Sequence, residues 1–265
     1  MGKLSDQNKI DVVNRYLAGK ETAKQLGKDF GVSTVAICNL LKRRGIQPKR
    51  LNCFHPKYSL NEDYFDDINT EEKAYLLGLL FADGCNYPKY NRVTIGLQEG
   101  DVSILHRFAK EIESDRPLWY RKPNGNTKGQ YKFEMYSKKL CKSLASKGCV
   151  PKKSLILEFP TSKQVPRHLL RHFVRGYFDG DGCLYTYGKS RIKCNVVSTK
   201  MFCKALKGVV KSELGIDSKV YKKHTNGVTA QFFIYKKQDC ISFLDWMYKD
   251  CTIALDRKYE KYRSI

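Results

Sequence analysis

The sequence predicts an α+β protein in which two similar αββαββα halves follow a small all-α unit. Three observations carry that prediction. Leu76–Gly84 (LLGLLFADG) and Val174–Gly182 (VRGYFDGDG) repeat one pattern, an apolar, helix-compatible run that ends in Asp-Gly. After each copy, strand-like and helical stretches return in the same order. Ahead of both, residues 4–46 carry the signals of three short helices and then give way to a segment with little apolar periodicity.

In the N-terminal unit (residues 1–46), Leu26-Gly27, Phe30-Gly31-Val32-Ser33, Val35, Ile37, Leu40 and Leu41 set two helices around a tight turn. Gly31 suits the turn, and Ser33 suits the N-cap of a helix over about 33–44. The pattern resembles resolvase-like helix-turn-helix units, and that resemblance implies that this last helix reads DNA. Ser33, Thr34, Ala36 and Asn39 would reach base edges, with Lys42, Arg43 and Arg44 on phosphates. The plainer alternative is a three-helix bundle with a basic edge. Residues 47–60, with Pro48, Pro56 and basic residues, suit a linker.

The first half is expected over 61–160. After the motif helix, Arg92–Gln98 alternates, with Val93, Ile95 and Leu97 apolar and Arg92, Thr94 and Gln98 polar, as a half-buried strand does. A helix follows over about 101–114, then a hairpin of 118–121 with 131–135, then a helix over 137–147. The second half, 161–265, repeats the order with strands at 184–187 and 191–197 and a helix at 200–214. A hairpin of 220–223 with 228–235 turns at Thr225-Asn226-Gly227, and a helix covers 238–248. The apolar parity of Ile192, Cys194 and Val196 is offset by one from the first half. A bulge or a one-residue misalignment would produce that, and the orientation of Ser198 stays open. Sheets that bury their apolar faces would leave a polar, basic saddle. Its outward candidates are Arg92, Thr94, Arg121 and Lys132, then Tyr185, Tyr187, Lys193, Lys222, Thr229 and Gln231; a β-ribbon fits the major groove of B-DNA.

The repeated motif carries chemistry as well as packing. Gly78 with Ala82, and Gly176 with Gly180, put small residues four apart on one helix face, where another helix can approach closely. Asp83 and Asp181 close the two helices. Packed together, the helices bring two carboxylates to one end, and like charges brought close call for a cation between them. Mg²⁺ takes carboxylate oxygens and keeps positions open for water and phosphate. Asp179, which stands opposite Phe81 of the first copy, is read as a support of the helix interface.

With 49 Lys and Arg against 27 Asp and Glu, the formal charge is +22, spread along the whole chain with 17 tyrosines, and a polyanionic partner is expected. No apolar run is long enough to span a bilayer and the first residues lack a signal peptide's apolar stretch, so a protein that is not secreted is expected, in the cytoplasm of a bacterial or phage-infected cell or in an organelle matrix. The ten cysteines include no C-x-x-C pair, which argues for reduced thiols rather than zinc. His168 and His172 lie four apart but lack the glutamate of a metalloprotease helix.

The two motif segments, with Thr70-Glu71-Glu72-Lys73-Ala74-Tyr75 before the first and Pro166 through Arg175 before the second, resemble the paired signature helices of LAGLIDADG homing endonucleases. The resemblance covers about residues 58–263. It implies a pseudo-symmetric monomer that cuts both strands of a long, asymmetric double-stranded DNA site, free-standing or intron-encoded. It implies two or more Mg²⁺ ions between Asp83, Asp181 and the scissile phosphates, with the carbonyls of Ala82 and Gly180 facing the metal. By the family pattern, Lys153 and Lys258, each placed after the last helix of its half, contact the reacting phosphate. Gln98 orients a water, with Ser198 standing at the matching place. Two rival readings share the same basic saddle: a maturase that binds intron RNA, and a transcription regulator with an inactive core.

Overall fold

The computed structural model describes residues 4–19, 21–48, 57–125, 127–187 (without the Tyr187 side chain), 191–222 and 228–265. The chain divides into two compact units, Met1–Lys57 and Tyr58–Ile265. Most of the linker expected over 47–60 falls outside the described residues. Tyr58–Leu60 belong to the second unit: Ser59 donates its backbone N–H to Asp115 Oδ1 (2.6 Å) and its hydroxyl to the Glu113 carbonyl (2.8 Å).

The first unit holds α1 (Asp6–Leu17), α2 (Ala23–Asp29) and α3 (Thr34–Arg43). Each helix starts on a side-chain cap: Ser5 accepts from Asn8 N–H, Thr22 and Gln25 form a capping box, and Ser33 accepts from Ala36 N–H. Val12, Ala23, Leu26, Ile37 and Leu41 make its core. Gly31 takes φ +65° at the turn, and a Cβ on Gly27 would press on the Val32 carbonyl at 2.9 Å, so both glycines are required where α2 meets α3.

The second unit is α+β. Its first half runs α4 (Glu71–Asp83), β1 (Gly84–Tyr87), β2 (Arg92–Gln98), α5 (Val102–Glu111), β3 (Trp119–Arg121), β4 (Gln130–Tyr136) and α6 (Lys138–Ser146). The second runs α7 (Leu170–Asp181), β5 (Gly182–Tyr187), β6 (Arg191–Thr199), α8 (Lys200–Leu214), β7 (Lys219–Lys222), β8 (Thr229–Ile234), α9 (Lys237–Tyr248) and a further helix, α10 (Asp256–Arg263). Each half contributes an antiparallel sheet, ordered β1-β2-β4-β3 and β5-β6-β8-β7. The turn at Thr225-Asn226-Gly227 lies outside the described residues. One continuous core fills the space between sheets and helices.

Helix α4 is buried around most of its circumference from Ala74 to Phe81, because it lies against α7 on one side and its own sheet on the other. Gly78 and Gly176 make the contact reciprocal. A Cβ on Gly78 would overlap the Phe173 carbonyl oxygen of α7, and one on Gly176 would overlap the Tyr75 carbonyl oxygen of α4. Farther along, a Cβ on Gly180 would overlap that of Ala82 and come within 2.7 Å of Asp83 Oδ2. The helices cross backbone to backbone.

The pairing corrects the alignment of the two halves. Gly84 pairs with Ile95 and Gly182 with Val196, so Ile95 matches Val196, Leu97 matches Ser198 and Gln98 matches Thr199. The register of β6 is continuous, and the apparent parity offset is a one-residue misalignment rather than a bulge. Ser198 therefore points into the core, where its hydroxyl and that of Tyr177 share a hydrogen bond at 2.8 Å.

Candidate active site and nucleic-acid face

At the ends of α4 and α7, Asp83 and Asp181 come together beside the Ala82–Gly180 contact. Burial raises the Asp83 carboxyl to about 6, with the nearby Asp181 charge adding to it and Lys153, Lys258 and Arg257 opposing. Asp181 is also raised, by the protein packed around it, against a hydrogen bond from Tyr177 and the two lysines. Gly84 and Gly182 do not end their helices in the left-handed region; φ is −80° and −79° as each chain passes straight into a strand. Space demands them instead, since a Cβ would meet the Leu80 or Phe178 carbonyl at 2.5 Å.

A carboxylate at a helix C-terminus sits at the unfavourable end of the dipole. Two lysines answer it. Lys153, in a 3-10 turn after Lys152 (φ +54°), donates Nζ to the carbonyls of Ala82 (3.1 Å) and Gly84 (2.6 Å). Lys258 donates to those of Phe178 and Gly182 (2.5 Å for the latter). Lys258 lies within α10, not after the last helix, and is buried; desolvation lowers it to about 8 despite the opposing charge of Asp179. The Ala82 carbonyl is thus engaged by an ammonium, whereas among the described residues no lysine bond falls on Gly180. Asp179 is fully buried and accepts from Tyr75 Oη (2.8 Å), Tyr248 Oη (2.5 Å) and the Leu255 N–H (2.8 Å), so it ties the helix pair to the C-terminal segment.

Gln98 donates to Asp101 Oδ2 at 3.0 Å, and the buried Asp101 receives Arg257 Nε at 2.9 Å. It forms a side-chain chain toward α10 rather than an isolated partner for Asp83. Its true counterpart, Thr199, caps α8 and donates to the Leu157 carbonyl, and Ser198 faces the core, so the second half has no polar side chain free at that place. Among the described residues, no group of three or more His, Cys, Asp or Glu side chains could hold a metal. The oxygens at hand are two carboxylates and the Gly180 carbonyl. Hard oxygen ligands of this number fit Mg²⁺, which commonly uses one or two carboxylates and completes its shell with water and phosphate.

On the first sheet, Arg92, Thr94, Arg121 and Lys132 share the face away from the core. Thr94 is nevertheless buried, flanked by Cys85 and Glu134 on the neighbouring strands. On the second sheet, Tyr185, Lys193, Thr229 and Gln231 share the outward face; the Tyr187 side chain lies outside the described residues. Lys222 does not share it. It pairs with Ala230 and takes the core-side parity, while Lys219 and Tyr221 of the same strand face outward. Sequence reading also missed Trp119, Glu134 and Tyr136, whose parity with Lys132 would have marked them once the hairpin register was fixed. The face is aromatic: Arg92 stacks over Tyr87, and Arg116 lies over both Tyr58 and Tyr136. In the first unit, Ser33 spends its hydroxyl oxygen on the cap of α3, while Thr34, Asn39, Lys42 and Arg43 are exposed.

The second half decides the comparison with known proteins. Residues 168–245 match the family model of the LAGLIDADG-like domain. No curated protein matches the chain. Among solved structures, full-length DUF199/WhiA from Thermatoga maritima is similar, with 15% identity over 77% of this chain and a TM-score of 0.49. This chain spans 64% of that protein's length. The I-LtrWI LAGLIDADG homing endonuclease bound to target DNA shows 11% identity over 77% of this chain and 88% of its own, with a TM-score of 0.47. I-DmoI in complex with DNA and Ca shows 16% identity over 77% and 100%, with a TM-score of 0.46. No helix among the described residues is long and apolar enough to cross a membrane.

Proposed function

We propose that the Tyr58–Ile265 unit is a Mg²⁺-dependent DNA endonuclease that makes double-strand breaks in a long, asymmetric target, of the free-standing or intron-encoded homing kind. One observation carries the reading: two carboxylates held side by side at the ends of helices whose backbones touch, one of them raised to about 6. Structural carboxylates are ordinarily placed where their charge is favoured; these two are placed where it is not.

Asp83 and Asp181 would hold the metal, with the Gly180 carbonyl available to it and the Ala82 carbonyl shared with Lys153. A divalent ion there would polarise the scissile phosphate and lower the pKa of a bound water. The chain's own residues do the rest. An ammonium has three donors; Lys153 uses two on the carbonyls of Ala82 and Gly84 and keeps one for a phosphate oxygen. Lys258, buried on the Phe178 and Gly182 carbonyls, positions Asp181 and neutralises the end of α7. The outward faces of both sheets, through residues such as Arg92, Arg121, Lys132, Lys193 and Gln231, supply cations and polar groups for the duplex. In the first unit, α3 adds Thr34, Asn39, Lys42 and Arg43 for bases and phosphates beyond the core's contacts.

The test is cleavage of DNA carrying an uninterrupted candidate insertion site. Asp83→Asn and Asp181→Asn should each abolish double-strand breaks in Mg²⁺ and leave binding close to the parent's. A variant that still cuts at the parent rate would sink the reading. A second reading, a DNA-binding regulator whose core does not cut, is favoured by the lysines that already neutralise both helix ends without a metal. Sequence-specific binding by the parent chain with no cleavage in Mg²⁺ or Mn²⁺ would support it.

A further inference from the structure

Glu134 is the one acidic residue among the outward positions of the first sheet, on a chain with a net charge of +22. Its carboxylate is ringed by donors and remains partly open to solvent. Lys132 Nζ lies 3.1 Å from Oε1, the Tyr136 hydroxyl donates to Oε2 at 3.0 Å, and Arg92 and Arg116 stand at 3.7 and 3.8 Å. The two arginines are themselves pinned on tyrosine rings. Beside this cluster opens a cavity of about 450 Å³, walled by Tyr58, Trp119, Arg116, Lys132 and Glu134. Trp119 is 56% exposed at its edge.

A carboxylate on a phosphate-binding face repels every phosphate. Besides ordering the cations around it, it can serve there against a group that donates. In the major groove the donors are the exocyclic amines of cytosine and adenine, and adenine's stands beside the N7 acceptor, which opposes a carboxylate. Cytosine N4 has no such neighbour, and its paired guanine offers O6 and N7, which suit a lysine. Glu134 and Lys132, adjacent and 3.1 Å apart, present an acceptor and a donor together. A carboxylate has about four lone-pair positions; Lys132 and Tyr136 take one on each oxygen at hydrogen-bond distance, and the two arginines stand beyond it, so the carboxylate can accept from a further donor.

We infer that Glu134, with Lys132 beside it, is a specificity-determining residue that reads a C·G base pair, accepting from cytosine N4 while Lys132 donates to guanine. The inference rests on the DNA-binding reading above. Four neighbouring donors fix the carboxylate's position before DNA arrives, so binding orders few new rotamers.

The test is selection of bound sequences from a random-sequence duplex DNA library by the full chain. The parent should show one position with about tenfold preference for C·G that depends on Glu134. Glu134→Ala should flatten that position alone. Glu134→Gln should move it toward A·T, because an amide matches adenine N6 and N7. Thermal unfolding of each variant separates loss of fold from loss of reading. A profile unchanged by either substitution, or weakened equally at all positions, overturns the inference while leaving DNA binding standing. Failure of the parent to select any duplex overturns both.

Discussion

Asp83 sets the free protein against itself. Its carboxyl is raised from the ordinary 3.8 to about 6, so the folded state holds its proton more tightly than the unfolded chain does. Well below 3.8 both states are protonated and nothing is lost; as pH rises from 3.8 through 6 the folded state loses stability, and above that the loss is constant. Asp83→Asn should therefore stabilise the metal-free protein at pH 7.5, on the order of 1–2 kcal/mol after allowance for solvent screening, and be neutral near pH 3. Urea unfolding at the two pH values measures it, and destabilisation at pH 7.5 would mean the carboxylate serves the fold. The two aspartates were legible because they recur in a repeated phrase. Glu134 was not, since its meaning lies in Lys132 two residues away and in two arginines brought from another strand and a loop. The Gln98–Ser198 equation failed for a similar reason: only strand pairing shows that Thr199 is the matching position.

Among the elements, the α4–α7 crossing is the most constrained. Gly78→Ala or Gly176→Ala would drive a methyl group into a carbonyl oxygen of the facing helix backbone, which cannot rotate away as a side chain could. Each should cost about 3 kcal/mol or more in urea unfolding. Ala82→Gly, which removes bulk, should cost only about 1 kcal/mol. The helices, sheets and their order follow from local periodicity, which is why the αββαββα reading was available. Helix α10 was hidden because Asp256–Arg263 is almost wholly charged and aromatic, and only Tyr259 and Tyr262 stacking near Tyr248, with Lys258 buried, explains its place. Lys222 was misplaced because its side of β7 depends on which residue of β8 it pairs with.

At the scale of the molecule, α4 and α7 already occupy each other within one chain, so the small-residue faces that would pair two copies are taken. Light scattering should give the mass of a single chain, and a stable dimer would contradict this. The charge of +22 implies many released counterions, so log affinity for DNA should fall steeply and linearly with log salt. Deleting residues 1–57 removes one compact unit with its own core. The remainder should unfold cooperatively, protect a shorter DNA footprint and cut, where the parent cuts, at the same position. An unchanged footprint would assign the N-terminal unit to some other contact.

The glycine crossing has a mechanical consequence. With glycine on both backbones where the helices cross, a longer side chain there would force them apart, so the packing of the crossing itself sets the interval between the two aspartates. In a DNA-cutting enzyme that interval is a gauge for the offset between the nicks on opposite strands. If the unit cuts as proposed, its sheet faces could be rewritten residue by residue to choose a new address without changing the shape of the cut ends.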